Sequence, residues 1–194
     1  MRLFEISIIQ SLQTQPDEIK QLILQHGSFQ AAFDGKDIYC AKFPDHSQEA
    51  YYIIIDDKMA SYCILENKNG HWWALEGATE PEFRGKGLNR TLWYYVVKYL
   101  KRKIFMDLEM TRQAARISEL LIKSKEFSVS IAYLETGTLI DYNPDTDSDL
   151  PMYDQEIQGI PRTIINSDKA KTRTWVLENR SPRRGLLSGY VRKL

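Results

Sequence analysis

Four things are scarce in this chain, and each shortage closes off a class of function. Cysteine is one: among 194 residues only Cys40 and Cys63 are cysteines, both in apolar contexts, neither in a CxxC pair nor near a histidine. Buried free thiols are the expectation, with no metal-ligand set and no support for a cysteine nucleophile. Long apolar runs are a second. The longest, Tyr51-Tyr-Ile-Ile-Ile55, has the length of a strand, far short of the ~20 residues of a membrane-spanning helix. A leader is a third, because the N-terminal MRLFEISIIQ lacks a basic start ahead of a long apolar core and a small-residue cleavage site. A cytoplasmic protein without membrane association is expected. Net charge is the fourth: 26 Lys and Arg balance 26 Asp and Glu.

What is there reads as a soluble globular protein, 43% hydrophobic and 27% charged. The length suits one ordinary domain with a long insertion or tail, here a domain over residues 1–180 and a basic tail over 181–194. Charge is unevenly spread: residues 134–156 hold seven acids and no Lys or Arg, whereas residues 162–194 hold nine Lys or Arg against Asp168 and Glu178. The basic end has the charge to dock on nucleic acid or another polyanion. Equally, it has the charge to pair with the chain's own acidic stretch.

Periodicity divides the chain into elements. Residues 2–9 alternate as a strand, and Thr14 ahead of Pro16-Asp-Glu18 announces a helix ending near Gly27. Ile38–Ala41, Tyr51–Ile55 and Met59–Leu65, separated by Pro44-Asp45 and Asp56-Asp57, predict an antiparallel meander. After the Asn67-Lys-Asn-Gly70 turn, His71–Leu75 resumes as a strand that breaks at Gly77. From Leu88 the period changes: Leu88, Leu92, Val96 and Leu100 fall four apart, predicting an amphipathic helix to about residue 101. Its basic end, Lys98 to Lys103, opposes the helix dipole and needs no ligand to explain it. A strand over 104–108, a helix over about 114–125, strands over 128–133 and 172–177, and a long acidic loop over about 135–170 complete the reading.

The stretch Glu80-Pro-Glu-Phe-Arg-Gly-Lys-Gly-Leu-Asn-Arg90 carries the chemistry. It runs from strand through a glycine-rich basic turn into a helix, with Gly85, Gly87 and Asn89 two apart. Residues tolerant of left-handed backbone let successive N–H groups converge, and the helix start adds its dipole. An anion cradle results, with Arg84 and Lys86 around it and Arg90 one turn on; the alternative is a tight turn and nothing more. It is no nucleotide P-loop, since Gly87 is followed by Leu88 and not by Lys and a hydroxyl residue. Nor is it a dinucleotide fingerprint, because GKGLNR lacks the third glycine.

Leu75 through Asn89 resembles motif A of the GNAT superfamily of N-acetyltransferases: a strand, a Pro two residues before an aromatic, then Arg84, Gly85, Lys86 and Gly87 opening a helix. Asn89 departs from the family's Gly or Ala. The element order also resembles the family from about residue 2 to 178. The resemblance implies a mixed, mostly antiparallel α/β sheet flanked by helices, and an acyl-CoA donor, acetyl-CoA in the first instance, as co-substrate. The turn over Arg84, Gly85, Lys86, Gly87, Leu88 and Asn89 would hold the donor's pyrophosphate, and its pantetheine arm would run beside Gly77, Ala78 and Thr79, with Gly77 making a bulge. Transfer would be direct: an amine attacks the thioester while a base takes its proton. Glu76 is the candidate base, with Glu80 behind it and Asp107 a weaker choice. In the following helix the family's Asn and tyrosine acid correspond to Ala115 and Ile122, and Glu126-Phe127 keeps only the Phe of Gly-Phe. Tyr133 is then the candidate acid, with Tyr142 and Tyr153 as substitutes, or the thiolate leaves unassisted. The acceptor is a small-molecule or peptide amine. The acidic stretch suits a cationic one and the basic tail a nucleic acid. Two other readings stay open: a degenerate CoA-binding module without turnover, and a nucleic-acid binder whose GKGLNR turn grips a backbone phosphate.

Overall fold

The computed structural model describes residues 16–43, 47–107, 110–142, 155–157, 164–166, 173–180 and 191–193. The strand expected over residues 2–9 and the cap expected at Thr14 lie outside the described residues. Contacts divide the chain into two compact units, Met1–Asn67 with Leu75–Leu92 and Lys68–Ala74 with Trp93–Leu194. The architecture is mixed α/β, with a mostly antiparallel sheet flanked by helices.

In the first unit α1 (Pro16–His26) starts at a proline and carries Asp17 and Glu18 in its first turn, where acids complement the helix dipole. Its Ile19 and Ile23 are buried with Ala41, Phe43, Ala50, Tyr52, Met59, Tyr62 and Ile64. There follow β1 (Gly27–Phe33), β2 (Lys36–Lys42), β3 (Gln48–Ile55) and β4 (Lys58–Lys68), each antiparallel to the next, the last three supplying residues to this core. The turns are built as their residues demand. Asp34-Gly35 and Asp56-Asp57 sit at φ of 49°, 67°, 50° and 58°, the backbone of tight two-residue hairpins. The predicted meander is therefore present, with β1 added at its edge. Residues 27–33, GSFQAAF, show no clean alternation, and the ladder to β2 shifts register between Phe29 and Ala31, so period-two patterning does not reveal this strand. Gly27 has a specific cause: a Cβ there would lie 1.6 Å from the Tyr52 hydroxyl.

The strand β5 (His71–Thr79) follows β4 in the sheet order. It passes through Gly77 without the predicted break. Then come a 3₁₀ turn (Pro81–Phe83) and α2 (Leu88–Tyr94). Helical winding continues as a wider π turn over Tyr95–Tyr99, where a uniform α-helix to about residue 101 was expected. The predicted face is inward, with Leu88, Leu92 and Val96 at 0–1% exposure. The wider turn also buries the consecutive Tyr95, Val96 and Val97, which a single 3.6-residue stripe does not accommodate.

In the second unit β6 (Ile104–Phe105) pairs parallel with the start of β5 through Trp72↔Ile104 and Trp73↔Phe105. The chain continues through β7 (Met110–Thr111), α3 (Arg112–Lys123), β8 (Phe127–Tyr133), β9 (Thr138–Tyr142), β10 (Gln155–Ile157), β11 (Ile164–Asn166), β12 (Arg173–Asn179) and β13 (Val191–Lys193). Strand β12 lies between β6 and β8, antiparallel to both, and β7, β11 and β10 form a separate small sheet. The stretch read as one acidic loop is thus not all loop. Thr138–Tyr142 forms a hairpin with β8 and buries Leu139 to 1% exposure, an apolar anchor that outweighs the flanking acids. Part of the basic tail is strand as well, since Val191–Lys193 pairs with Thr138–Ile140 of β9. At the basic helix end the cations meet side chains of the same unit. Lys98 ion-pairs with Glu126, and the Arg102 guanidinium lies 4.1 Å from the centre of the Trp72 ring.

Candidate active site

The glycine-rich turn is fixed at both ends by buried apolar side chains. Pro81 opens the 3₁₀ turn, Phe83 is 6% exposed, and Leu88, the first residue of α2, is 1% exposed. Between these anchors Arg84, Gly85, Lys86 and Gly87 are all exposed. Gly85 and Gly87 take φ of 78° and 72°, left-handed conformations that cost other residues about 1 kcal/mol or more. A Cβ added at either would meet no atom within 4 Å. Conformation, not crowding, therefore requires these glycines, and the space around the turn is open. Thr91 N–H donates to the Gly87 carbonyl at 3.0 Å, the first helical hydrogen bond, so the amides of the preceding turn have no intrahelical acceptor. Arg84 Nε donates to the Thr79 carbonyl at 3.2 Å, and Lys86 Nζ lies 4.9 Å from the centre of the Phe83 ring. Both cations stay at the rim of the turn.

Asn89 is not the left-handed turn residue that the spacing suggested. It lies inside α2, 6% exposed, and its Nδ2 donates to the Tyr62 carbonyl at 3.1 Å. Gly77 makes room for it, since a Cβ at Gly77 would stand 3.1 Å from Asn89 Nδ2 and 3.6 Å from the Tyr62 carbonyl. Close approach of the Asn89 amide thus accounts for Gly77. The neighbouring residues are also held. Ser61 Oγ donates to the Ala78 carbonyl at 2.9 Å and lies 2.9 Å from Thr79 Oγ1.

Glu76 is half-buried on β5, and Tyr62 Oη donates to its Oε1 at 2.8 Å. Glu80, the second choice for a base, is engaged elsewhere. Lys20 of α1 reaches it at 2.6 Å and also reaches Asp17 at 3.3 Å. Burial works against the lysine's charge, but hydrogen bonds and attraction from Glu80 and Asp17 outweigh it and hold Lys20 above the ordinary lysine value. Glu76, Gly77, Ala78, Thr79 and the turn Arg84–Asn89 all belong to the first unit. Tyr133, half-buried at the end of β8 opposite Arg173 and Thr138, belongs to the second. So do Asp107, just past β6, and Tyr142, whose ring meets Trp175 edge-on at 4.7 Å; Tyr153 lies outside the described residues. Ala115 and Ile122 are buried apolar residues of α3, 6% and 5% exposed.

Sequence reading missed Tyr62, Ser61 and Lys20. A tyrosine in an apolar strand reads as core, which Tyr62 also is at 2% exposure; no local spacing connects it to Glu76. Among the described residues no group of three His, Cys, Asp or Glu is arranged to hold a metal ion, and no helix is long and apolar enough to cross a membrane.

Comparison with known proteins supplies the family. Solved structures similar to this chain include a ribosomal-protein alanine N-acetyltransferase from Escherichia coli, at 15% identity, TM-score 0.39, and coverage of 73% of this chain and 76% of that one. A putative GNAT-family acetyltransferase from Bacteroides thetaiotaomicron is 12% identical at TM-score 0.39, covering 89% of this chain and 84% of the other. A GNAT-family acetyltransferase from Elizabethkingia anophelis, with acetyl-CoA bound, is 14% identical at TM-score 0.38, covering 86% and 84%. No match was found among curated proteins. The model of the acetyltransferase (GNAT) family matches residues 15–117, more than half the chain and all of the stretch from β5 to α2. The chain belongs to the GNAT family of acetyltransferases.

Proposed function

We propose that this protein is an acyl-CoA-dependent N-acyltransferase that moves an acetyl group to an amine by direct attack, with residues 1–180 as the acyltransferase domain and 181–194 as its tail. The observation that carries this reading is the turn over residues 84–87: two left-handed glycines with open space around them, between cationic side chains, at the start of a helix. Such a turn can present its backbone amides to a pyrophosphate at the positive end of the helix. In the proposal Arg84 through Asn89 hold the donor's phosphates and Gly77 through Thr79 its pantetheine arm. The donor supplies an activated thioester. Glu76 takes the proton from the attacking amine as the C–N bond forms and the C–S bond breaks. The departing thiolate takes its proton from water.

Buried, apolar Ala115 and Ile122 favour a second reading, because the family's acid at the Ile122 position is missing: a module that binds CoA without turnover. Calorimetric titration of acetyl-CoA into the wild type and Gly87→Glu, both checked for folding by circular dichroism, tests the donor site. Micromolar binding that the variant loses supports it; absence of binding to the wild type rejects it. Release of CoA thiol with spermidine, an aminoglycoside or a lysine-rich peptide as acceptor then decides between enzyme and module.

A further inference from the structure

Tyr62 does two things at once. Its side chain is 2% exposed and packed with Ile19, Ile23 and Tyr52, and a buried phenol needs an acceptor for its hydroxyl. That acceptor is Glu76 Oε1 at 2.8 Å. Its backbone carbonyl accepts from Asn89 Nδ2 at 3.1 Å. One residue of β4, paired opposite Tyr52 of β3, thus ties a carboxylate of β5 and the first turn of α2 to the same strand.

We infer that Tyr62 is a positioning residue for acyl transfer, its hydroxyl setting the direction in which the Glu76 carboxylate faces. The inference rests on the acyltransferase reading and adds a residue to it. A half-exposed glutamate loses several rotatable bonds' freedom on being held. A donor on a rigid, core-packed ring selects one arrangement in advance, and that preorganisation appears in kcat. Lys20 plays no such part, because its partner is Glu80.

The test is a double-mutant cycle on the full chain with Tyr62→Phe, Glu76→Gln and both together. Acetyl-CoA serves as donor, with spermidine, kanamycin and a lysine-rich peptide as acceptors. Calorimetry checks acetyl-CoA binding and thermal melting checks the fold. Tyr62→Phe is expected to lower kcat by about tenfold while the KM for acetyl-CoA stays within about twofold. In the Glu76→Gln background the same change is expected to have no further effect on kcat, because there is no longer a base to position. A purely structural role would instead give the same loss in both backgrounds, and that result, or a Tyr62→Phe kcat within twofold of wild type, overturns the inference. Wild type that binds acetyl-CoA but acylates none of the three amines overturns the base and its positioning residue together and leaves the donor site standing. Wild type that does not bind acetyl-CoA rejects the acyltransferase reading itself.

Discussion

The turn over residues 84–87 and the strand pair β4–β5 that leads into it are built by opposite rules. In the turn, side chains are exposed, backbone conformation is special, and the space around Gly85 and Gly87 is open. In the strands, backbone conformation is ordinary and side chains carry the specificity. Ser61 bonds to the Ala78 carbonyl, Tyr62 to Glu76, and Asn89 of α2 to the Tyr62 carbonyl. A backbone surface of the first kind suits a ligand that every family member shares. A side-chain lattice of the second kind suits holding one chemical group still. Variants in the turn should therefore change binding, those in the lattice turnover or stability.

Glu76→Gln gives the largest expected effect: kcat for amine acetylation falls about 10²-fold or more, the contribution of a general base, with acetyl-CoA affinity and melting temperature little changed. A variant with wild-type kcat would remove Glu76 from the mechanism. Gly87→Glu follows. A carboxylate beside a bound pyrophosphate costs several kcal/mol, so calorimetry should show acetyl-CoA affinity reduced about 10²-fold. Melting should show a modest loss, because the added side chain meets open space and only the left-handed backbone resists it.

Gly27→Ala sharpens the contrast from the other side. Its Cβ would come 1.6 Å from the Tyr52 hydroxyl and 2.6 Å from Tyr52 Cζ, on a ring only 2% exposed. Overpacking there should cost about 2 kcal/mol, read as a lower denaturant midpoint, with acetyl-CoA affinity retained by the folded protein. Gly85→Ala, in open space, should lose about half as much.

The smallest effect concerns alkali. Burial pushes the Tyr52 phenol above the ordinary tyrosine value, with Tyr39 and Cys40 adding to the shift, and Lys20 is held above the ordinary lysine value. Both groups keep their protons longer when folded, so their stabilisation is complete below about pH 10 and is lost as the pH rises through the folded values. Denaturation midpoints should fall above about pH 10, and Tyr52→Phe should fall less steeply than wild type. An equal fall in the two would exclude Tyr52 as a contributor.

Legibility follows the range of the interaction. The helix from Leu88 announces itself because its inward face repeats every four residues, and β2 to β4 do so because turn residues separate β-branched runs. Strand β1 hides because a register shift interrupts its ladder between Phe29 and Ala31. Strand β9 hides inside an acidic stretch because only Leu139 is fully buried. The π turn after α2 reflects packing of Tyr95–Val97 together, which no periodic pattern encodes. In the candidate site, Gly85 and Gly87 were legible as left-handed residues, whereas Asn89 looked like a third and is a buried hydrogen-bonding link.

By itself the sequence determined what local physics controls: a glycine turn that only glycine adopts cheaply, the helix that starts on it, and a family motif made of those two. Tertiary structure alone decided which groups meet across the sheet. Tyr62 and Glu76 are 14 residues apart and Tyr62 and Asn89 are 27 apart. Their contacts depend on the register of β4 against β5, on the Asn69-Gly70 turn at φ of 54° and 82° that joins the two strands, and on the absence of a side chain at Gly77. A one-residue slip in that register would turn each side chain to the opposite face, so the tight turn and the core shared with α1 act together to keep the carboxylate and its phenol on meeting sides.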